Sequence, residues 1–197
     1  MSEVKRPLEG VKVLELATFI AAPCCARFLA DLGAEVIKVE APAGDPLRYT
    51  AVNEGRPQDQ KENTSYDLEN AGKTCVCLNT KTEAGRAALE KLIAEADIFI
   101  TNWRQPPLKK AGLDYDTLHA KYPKLVYGFV SGYGEKGPDK DLPGFDFTAF
   151  FARGGILGTL FDKDALPMLT IAGFGDHQVG MYLASGVLAA LYRARET

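Results

Sequence analysis

The sequence has no uninterrupted apolar run near the roughly 20 residues that span a bilayer, so no membrane role is expected. It also lacks an excess of either charge: 23 Lys and Arg stand against 26 Asp and Glu. That balance gives no electrostatic footprint for nucleic acid or for an anionic lipid surface. Residues 1–7 carry charge but no apolar core behind them, so they do not read as a secretory signal, and a cytoplasmic setting is expected. The four cysteines, Cys24 with Cys25 and Cys75 with Cys77, have neither the CxxC spacing of a zinc site nor that of a redox site. No metal is expected. The cysteines read as small buried hydrophobes in a reducing compartment, with a reactive thiol early in the first helix as the alternative. Finally, there is no GxGxxG and no GxxxxGK[ST], which weakens ordinary dinucleotide and P-loop readings.

What is present is a globular pattern. With 46% apolar and 25% charged residues in 197, the chain can bury the core of one domain. Residues 11–16 read as a strand, 21–32 as a helix with Pro23 in its first turn and Gly33 closing it, and 35–40 as a second strand. This β-α-β unit implies a right-handed crossover and a parallel sheet. Residues 43–70 break the pattern with Gly44-Asp45-Pro46, Gly55-Arg56-Pro57 and the polar run 58–63, and read as a long surface excursion. Alternation resumes with strands at 74–78, 98–101 and 125–130 and helices at 82–94 and 114–121. A glycine-rich loop covers 132–144, and helices are expected at 145–157 and 176–195. The expected fold is α/β, a Rossmann-like doubly wound parallel sheet with flanking helices, ending in a long apolar helix.

Three places could carry chemistry. The turn after the first strand could present backbone N–H groups to a ligand. Two later strand ends, Leu78-Asn79-Thr80-Lys81 and Asn102-Trp103-Arg104, would fall on the same edge of a parallel sheet. They offer cations, a ring for stacking and two amides, which suits a phosphorylated, base-bearing ligand. The plainer reading is that Asn79 and Thr80 cap the helix at Thr82 and that the cations are solvated. The third place is Asp176, after Gly175 at the mouth of the last helix. A helix start favours an ionised carboxylate, and small neighbours leave room for an electrophile. An ordinary N-cap role is the competing reading. His177 points elsewhere and is at most a secondary contact, and His119 reads as exposed.

The runs at 10–16 and 28–40, Leu78-Asn79-Thr80-Lys81, Gly132-Tyr133-Gly134, Gly137-Pro138, Pro143-Gly144-Phe145-Asp146 and Gly175-Asp176 together resemble the family III CoA-transferases (CaiB/BaiF type), in order over nearly the whole chain. The words at 43–50, 62–70, 101–104 and 175–178 resemble the clostridial branch that acts on 2-hydroxy acids such as aryl lactates and 2-hydroxyisocaproate. The resemblance implies coenzyme A, as acyl-CoA, and a carboxylate as substrates. It implies that Asp176 attacks the thioester carbonyl to give an aspartyl anhydride and then an aspartyl-CoA thioester. Oxyanion donors would come from the glycine-flanked turn. The CoA contacts it implies fall on Ile20, Ala21, Leu78, Asn79, Thr80, Lys81, Asn102, Trp103, Arg104 and Lys110.

There are departures. Many relatives carry a cation where this chain has Ala41, a role Arg48 could fill. The 2-methylacyl-CoA racemases of the same superfamily have a histidine just before the aspartate matching Asp146. Here that position is Phe145, which favours transfer. Family members are about twice as long and form interlocked homodimers. The expectation is therefore that residues 1–197 are the large CoA-binding domain without the small domain and C-terminal return. The alternatives are a racemase-like enzyme and a non-catalytic CoA-binding fragment.

Overall fold

Short runs rich in Val, Ile and Phe form β1 (Lys12–Leu16), β2 (Glu35–Glu40), β3 (Thr74–Cys77), β4 (Ile98–Thr101) and β5 (Val126–Phe129). They pair in parallel throughout, in the order β3-β2-β1-β4-β5. The computed structural model describes residues 5–56, 59, 62–168 and 171–196, so Pro57 and, in the polar run, Gln58, Gln60 and Lys61 lie outside the described residues. The chain builds β2 and β3 on one side of β1, then crosses back to lay β4 and β5 on the other. That reversal opens a crevice beyond the carboxyl ends of β1 and β4, where ligands of such sheets bind.

The strand alternation feeds two cores. Val13, Val36, Ile98 and Ile100 pack on one face under α1 (Ala21–Asp31). Leu14, Leu16, Val39 and Phe99 pack on the other with Leu89 and Ile93 of α3 (Glu83–Glu95), Leu108 of α4 (Gln105–Ala111) and Leu118 of α5 (Tyr115–Lys121), and α2 (Thr64–Asn70) lies in the expected excursion. The last helix, α6 (Phe174–Glu196), lies against α1. Its buried residues Gly180, Ala184, Val187 and Leu191 recur at helical spacing and form one stripe. A Cβ on Gly180 would stand 2.6 Å from the Ala21 carbonyl oxygen, so glycine sets how closely the two helices approach. The expected length of this helix is found. Its outer face is not covered, since Tyr182 and Tyr192 stay 78% and 70% exposed. No described helix is long and apolar enough to cross a membrane.

Three expectations change. The described residues of 43–70 are more than a surface excursion. They form 3-10 turns at Pro46–Tyr49 and Ala51–Glu54 and then α2, and they bury Leu47, Ala51, Tyr66, Glu69 and Asn70. Asp45 caps the first turn by accepting from Leu47 N at 3.0 Å, and Asn63 caps α2. Apolar periodicity missed this segment because much of its anchoring is ionic. Lys38 Nζ lies 2.7 Å from Glu15 Oε1 and 2.8 Å from Asp45 Oδ2, and Lys73 Nζ lies 2.6 Å from Glu15 Oε2, with all four side chains fully buried. Burial works against the Lys38 charge, but Glu15 and Asp45 outweigh it and its pKa is raised.

The second change concerns Cys75 and Cys77, which are exposed rather than buried. Among the described residues β3 is an edge strand, where Val76 packs on the second core while Cys75 and Cys77 stay exposed. The third is the helix expected at 145–157. It is a π-helical segment, Asp146–Arg153, followed by a 3-10 turn at Leu157–Thr159, and Gly154-Gly155 divides them.

Candidate functional site

At the β1/β4 switch point the strand ends are tied together. Asn102 accepts from Thr18 N at 3.1 Å and donates to Thr18 O at 2.7 Å. Thr101 Oγ1 donates to Leu16 O at 2.8 Å. The turn between β1 and α1 is thereby fixed, with Phe19 in the left-handed region at φ 63°. Above it lies a cleft of about 730 Å³, bordered by this turn, by Trp103 and Arg104, by the loop from Gly132 to Gly144, and by Asp176. Gly132 and Gly144 touch backbone to backbone, since a Cβ on either would collide with the Cα of the other. They close the loop at its base.

The residues singled out in the sequence divide into two groups. Ile20, Ala21, Asn102, Trp103, Arg104 and Asp176 share the cleft. Leu78, Asn79, Thr80, Lys81 and Lys110 do not line it. The first four follow β3, three strand spacings from β4, or roughly 14 Å along the edge. Asn79 there accepts from Lys81 N at 3.1 Å, and the N-cap of α3 is Thr82, whose hydroxyl accepts from Gly85 N at 3.1 Å. Lys110 is exposed in the last turn of α4. Arg48 does not stand free for a ligand. It donates to both oxygens of Glu40, at 2.8 and 2.7 Å, and lies over the Tyr66 ring at 3.6 Å. The Tyr66 hydroxyl also donates to Glu40.

Asp176 is not the cap of α6. The helix starts at Phe174, and Asp176 sits in its first turn. The capping carboxylate is Asp146, which the sequence pattern could not reveal because it reaches across 27 residues. Asp146 is buried and accepts from Gly173 N and Gly175 N, each at 2.8 Å. The two amides expected to serve an oxyanion are therefore already occupied. The space beside Gly175 is also filled, since a Cβ there would strike the Phe150 ring.

Among the described residues nothing donates a hydrogen bond to the Asp176 carboxylate. Burial, and then the charge of Asp146, push its pKa up to about 6. The helix start does not hold it below the ordinary carboxylate range, contrary to the expectation from position. Asp176 is thus a partly buried, unpartnered carboxylate of raised basicity facing a cleft.

His177 makes more contacts than expected. Its Nδ1 lies 2.6 Å from the Gly173 carbonyl oxygen and its Nε2 2.8 Å from Glu69 Oε1 on α2. A carbonyl only accepts, so Nδ1 carries a proton. Cys24, Glu69 and His177 offer ligand atoms within 4.8 Å of one another. Both ring nitrogens of His177 are engaged, however, and burial pushes the Cys24 thiol up to about 11. The cluster acts as hydrogen-bonded core, and burial likewise pushes Cys25 up to about 12, so neither thiol suits a nucleophile.

Comparison with known proteins gives the same picture at the level of family. A model described as CoA-transferase family III matches residues 8–197. The chain is 64% identical over 188 residues to cinnamoyl-CoA:phenyllactate CoA-transferase of Clostridium sporogenes, covering 95% of this chain and 46% of that protein. It is 51% identical over 190 residues to (R)-2-hydroxy-4-methylpentanoate CoA-transferase of Clostridioides difficile, covering 96% of this chain and 48% of that protein. A CAIB/BAIF family protein from Brucella suis superposes with a TM-score of 0.89 at 36% identity, over 98% of this chain and 51% of that one. The chain spans about half the length of these relatives.

Proposed function

The chain belongs to CoA-transferase family III, and on that premise we propose that residues 1–197 are the CoA-binding domain of an enzyme moving CoA between an acyl-CoA and a 2-hydroxy carboxylate, with Asp176 as nucleophile. The observation that carries this reading is the state of Asp176: open to the cleft, without a hydrogen-bond donor among the described residues, and with its pKa raised to about 6. A carboxylate of that basicity is still mostly ionised at neutral pH, and it is a stronger nucleophile than an ordinary aspartate.

In the reaction, a carboxylate oxygen of Asp176 attacks the thioester carbonyl. The C–S bond breaks, CoA leaves as thiolate, and an aspartyl anhydride forms. The thiolate attacks the aspartyl carbonyl, giving aspartyl-CoA thioester and releasing the donor acid. The acceptor carboxylate attacks that thioester, the C–S bond breaks, and a new anhydride and free CoA thiolate form. The thiolate then attacks the acceptor's carbonyl, and Asp176 returns as carboxylate. Donors for the tetrahedral oxyanions must come from groups other than Gly173 N and Gly175 N, which Asp146 holds.

The CoA contacts proposed on Ile20, Ala21, Asn102, Trp103 and Arg104 border the cleft. Those proposed on Leu78, Asn79, Thr80, Lys81 and Lys110 require an extended ligand that runs on past the cleft. Aryl and branched-chain 2-hydroxy acids are proposed as acceptors from the named activities of the two clostridial relatives. Phe19, Trp103, Phe129, Phe145 and Phe150 around the cleft support an apolar acyl group. Phe145 in place of a histidine speaks against racemisation. An interlocked homodimer of the longer protein belongs to the same proposal. The exposed Leu166, Met168 and Ile171 support a covering surface there.

The test is Asp176→Asn in the full-length enzyme. Transfer should fall by roughly 1,000-fold or more, the scale of removing a covalent nucleophile, and acyl-CoA with hydroxylamine should mark Asp176 in the parent protein alone. Normal transfer by the variant would end the proposal. Calorimetric titration of CoA into the 197-residue chain separates a domain that only binds from one that also turns over.

A further inference from the structure

Phe19 carries a side chain yet adopts φ 63°, a conformation that favours glycine. Its neighbours show what keeps it there. Phe19 N donates to Asp45 Oδ1 at 3.0 Å, while Thr18 is held on both its amide and its carbonyl by Asn102. The second oxygen of Asp45 lies 2.8 Å from Lys38 Nζ, which also donates to Ala17 O at 3.1 Å, the carbonyl just ahead of the turn. Lys38 is joined to Glu15, and Glu15 to Lys73, whose Nζ donates to Pro23 O at 2.9 Å in the first turn of α1. A chain of four fully buried charges therefore grips the backbone before, within and after the β1–α1 turn. Two of its members, Glu15 and Lys38, come from adjacent strands, while Asp45 and Lys73 come from the segment between β2 and β3.

This chain of charges has a cost that a merely stable core would not need. Apolar groups of similar volume often serve stability as well as a buried ion pair does, whereas breaking such a pair is strongly destabilising. What the charges supply here is direction. Each contact to the turn is a hydrogen bond aimed at one backbone atom. The turn they aim carries Thr18, Phe19, Ile20 and Ala21 into the cleft that holds Asp176. Ile20 also reaches the backbone just ahead of α6, since its Cδ1 would stand 3.0 Å from a Cβ on Gly173.

We infer that Asp45 is a positioning residue for acyl-CoA: it holds Phe19 in the left-handed conformation, against the buried Lys38, so that the β1–α1 turn meets the ligand ready-formed. The inference rests on the CoA-transferase reading for its ligand but not for its geometry. Asp45 touches no substrate and acts through the backbone of Phe19.

The experiment is a set of variants in the full-length enzyme. Asp45→Ala should raise KM for acyl-CoA about tenfold with a much smaller change in kcat. Because it also leaves Lys38 short of a partner, the decisive comparison is made within that background. Adding Phe19→Gly, which adopts positive φ freely, should give a KM several-fold below that of adding Phe19→Ala, because both remove the ring's contact with the acyl group and only alanine keeps the backbone penalty. Backbone NMR of residue 19 should show left-handed φ in the parent protein and its loss in Asp45→Ala. If Gly and Ala behave alike, or if residue 19 stays left-handed without Asp45, the positioning role is overturned. If φ responds as expected but the parent protein neither binds nor turns over acyl-CoA, the functional reading fails and the structural role of Asp45 stands.

Discussion

Two carboxylates meet the start of α6, and they are in opposite states. Asp146, from the π-helical segment, is buried and accepts two backbone amides at 2.8 Å. Asp176, on the helix itself, has no donor among the described residues, and its pKa is pushed up to about 6 by burial and by Asp146. Sequence position suggests the reverse, with Asp176 as cap. If Asp176 is the proposed nucleophile, one helix start serves structure and chemistry together. The free N–H groups are assigned to a dedicated anion, which leaves the second carboxylate desolvated and repelled, and so more basic. Capping saturates a charge, whereas a nucleophile has to be left unsaturated.

Substitution tests each of the two states. Asp146→Ala should have the largest effect on stability, about 4 kcal/mol, because two buried amides lose their acceptor at roughly 1–3 kcal/mol each. Urea unfolding measures it, and a loss below about 1 kcal/mol would mean that water or another group replaces the cap. Gly175→Ala should cost about 3 kcal/mol, since the new methyl collides with Phe150 and crowds Asp146 Oδ1. If the alanine protein melts within a degree or two of the parent, the packing at this turn is looser than described.

Asp176→Asn should act in the other direction. A carboxyl whose folded pKa is raised from 3.8 to about 6 contributes stability that is fully present below about pH 4 and is lost as pH rises through about 6. The asparagine variant should not suffer that loss, so its advantage over the parent should grow by about 2 kcal/mol between pH 4 and pH 7. Unfolding curves at the two pH values that stay parallel would remove the basis for a raised Asp176. The smallest effect is expected at Glu69→Gln. The glutamine side chain can still hydrogen-bond His177, so the link from α2 to the turn should weaken by about 1 kcal/mol. A loss of 3 kcal/mol or more would show that the pair bears a charge the turn depends on.

Much of the fold could be read from the sequence because it rests on apolar alternation. Val13, Leu14, Ile98 and Phe99 declare two-sided burial, and Pro23 and Gly33 mark the ends of the first helix. The segment from 43 to 70 could not be read that way. Its buried groups include Asp45, Asn63, Glu69 and Asn70, which a hydrophobic pattern scores as surface. The same reason explains the site. Trp103 and Asn102 could be placed at a strand end, but Asn102 spends its hydrogen bonds on Thr18 rather than holding them ready for a ligand. Asp176 is visible in the sequence as a carboxylate at a helix mouth. What governs it, the cap from Asp146, depends on a contact 27 residues away and leaves no local signature.

The paired glycines at 132 and 144 give the cleft wall a further property. Where the two ends of a loop meet through bare backbone, the intervening residues are a cassette with a fixed mount. Beyond that mount the loop is tied through exposed side chains, with Gln105 Nε2 donating to Glu135 Oε1 at 2.8 Å and Arg153 Nη2 to Asp139 Oδ2 at 2.6 Å. Under the proposed function, transplanting residues 133–143 from a relative should carry acid preference with them and leave the melting temperature within about 2 °C. The same transplant made with either glycine changed to valine should not fold.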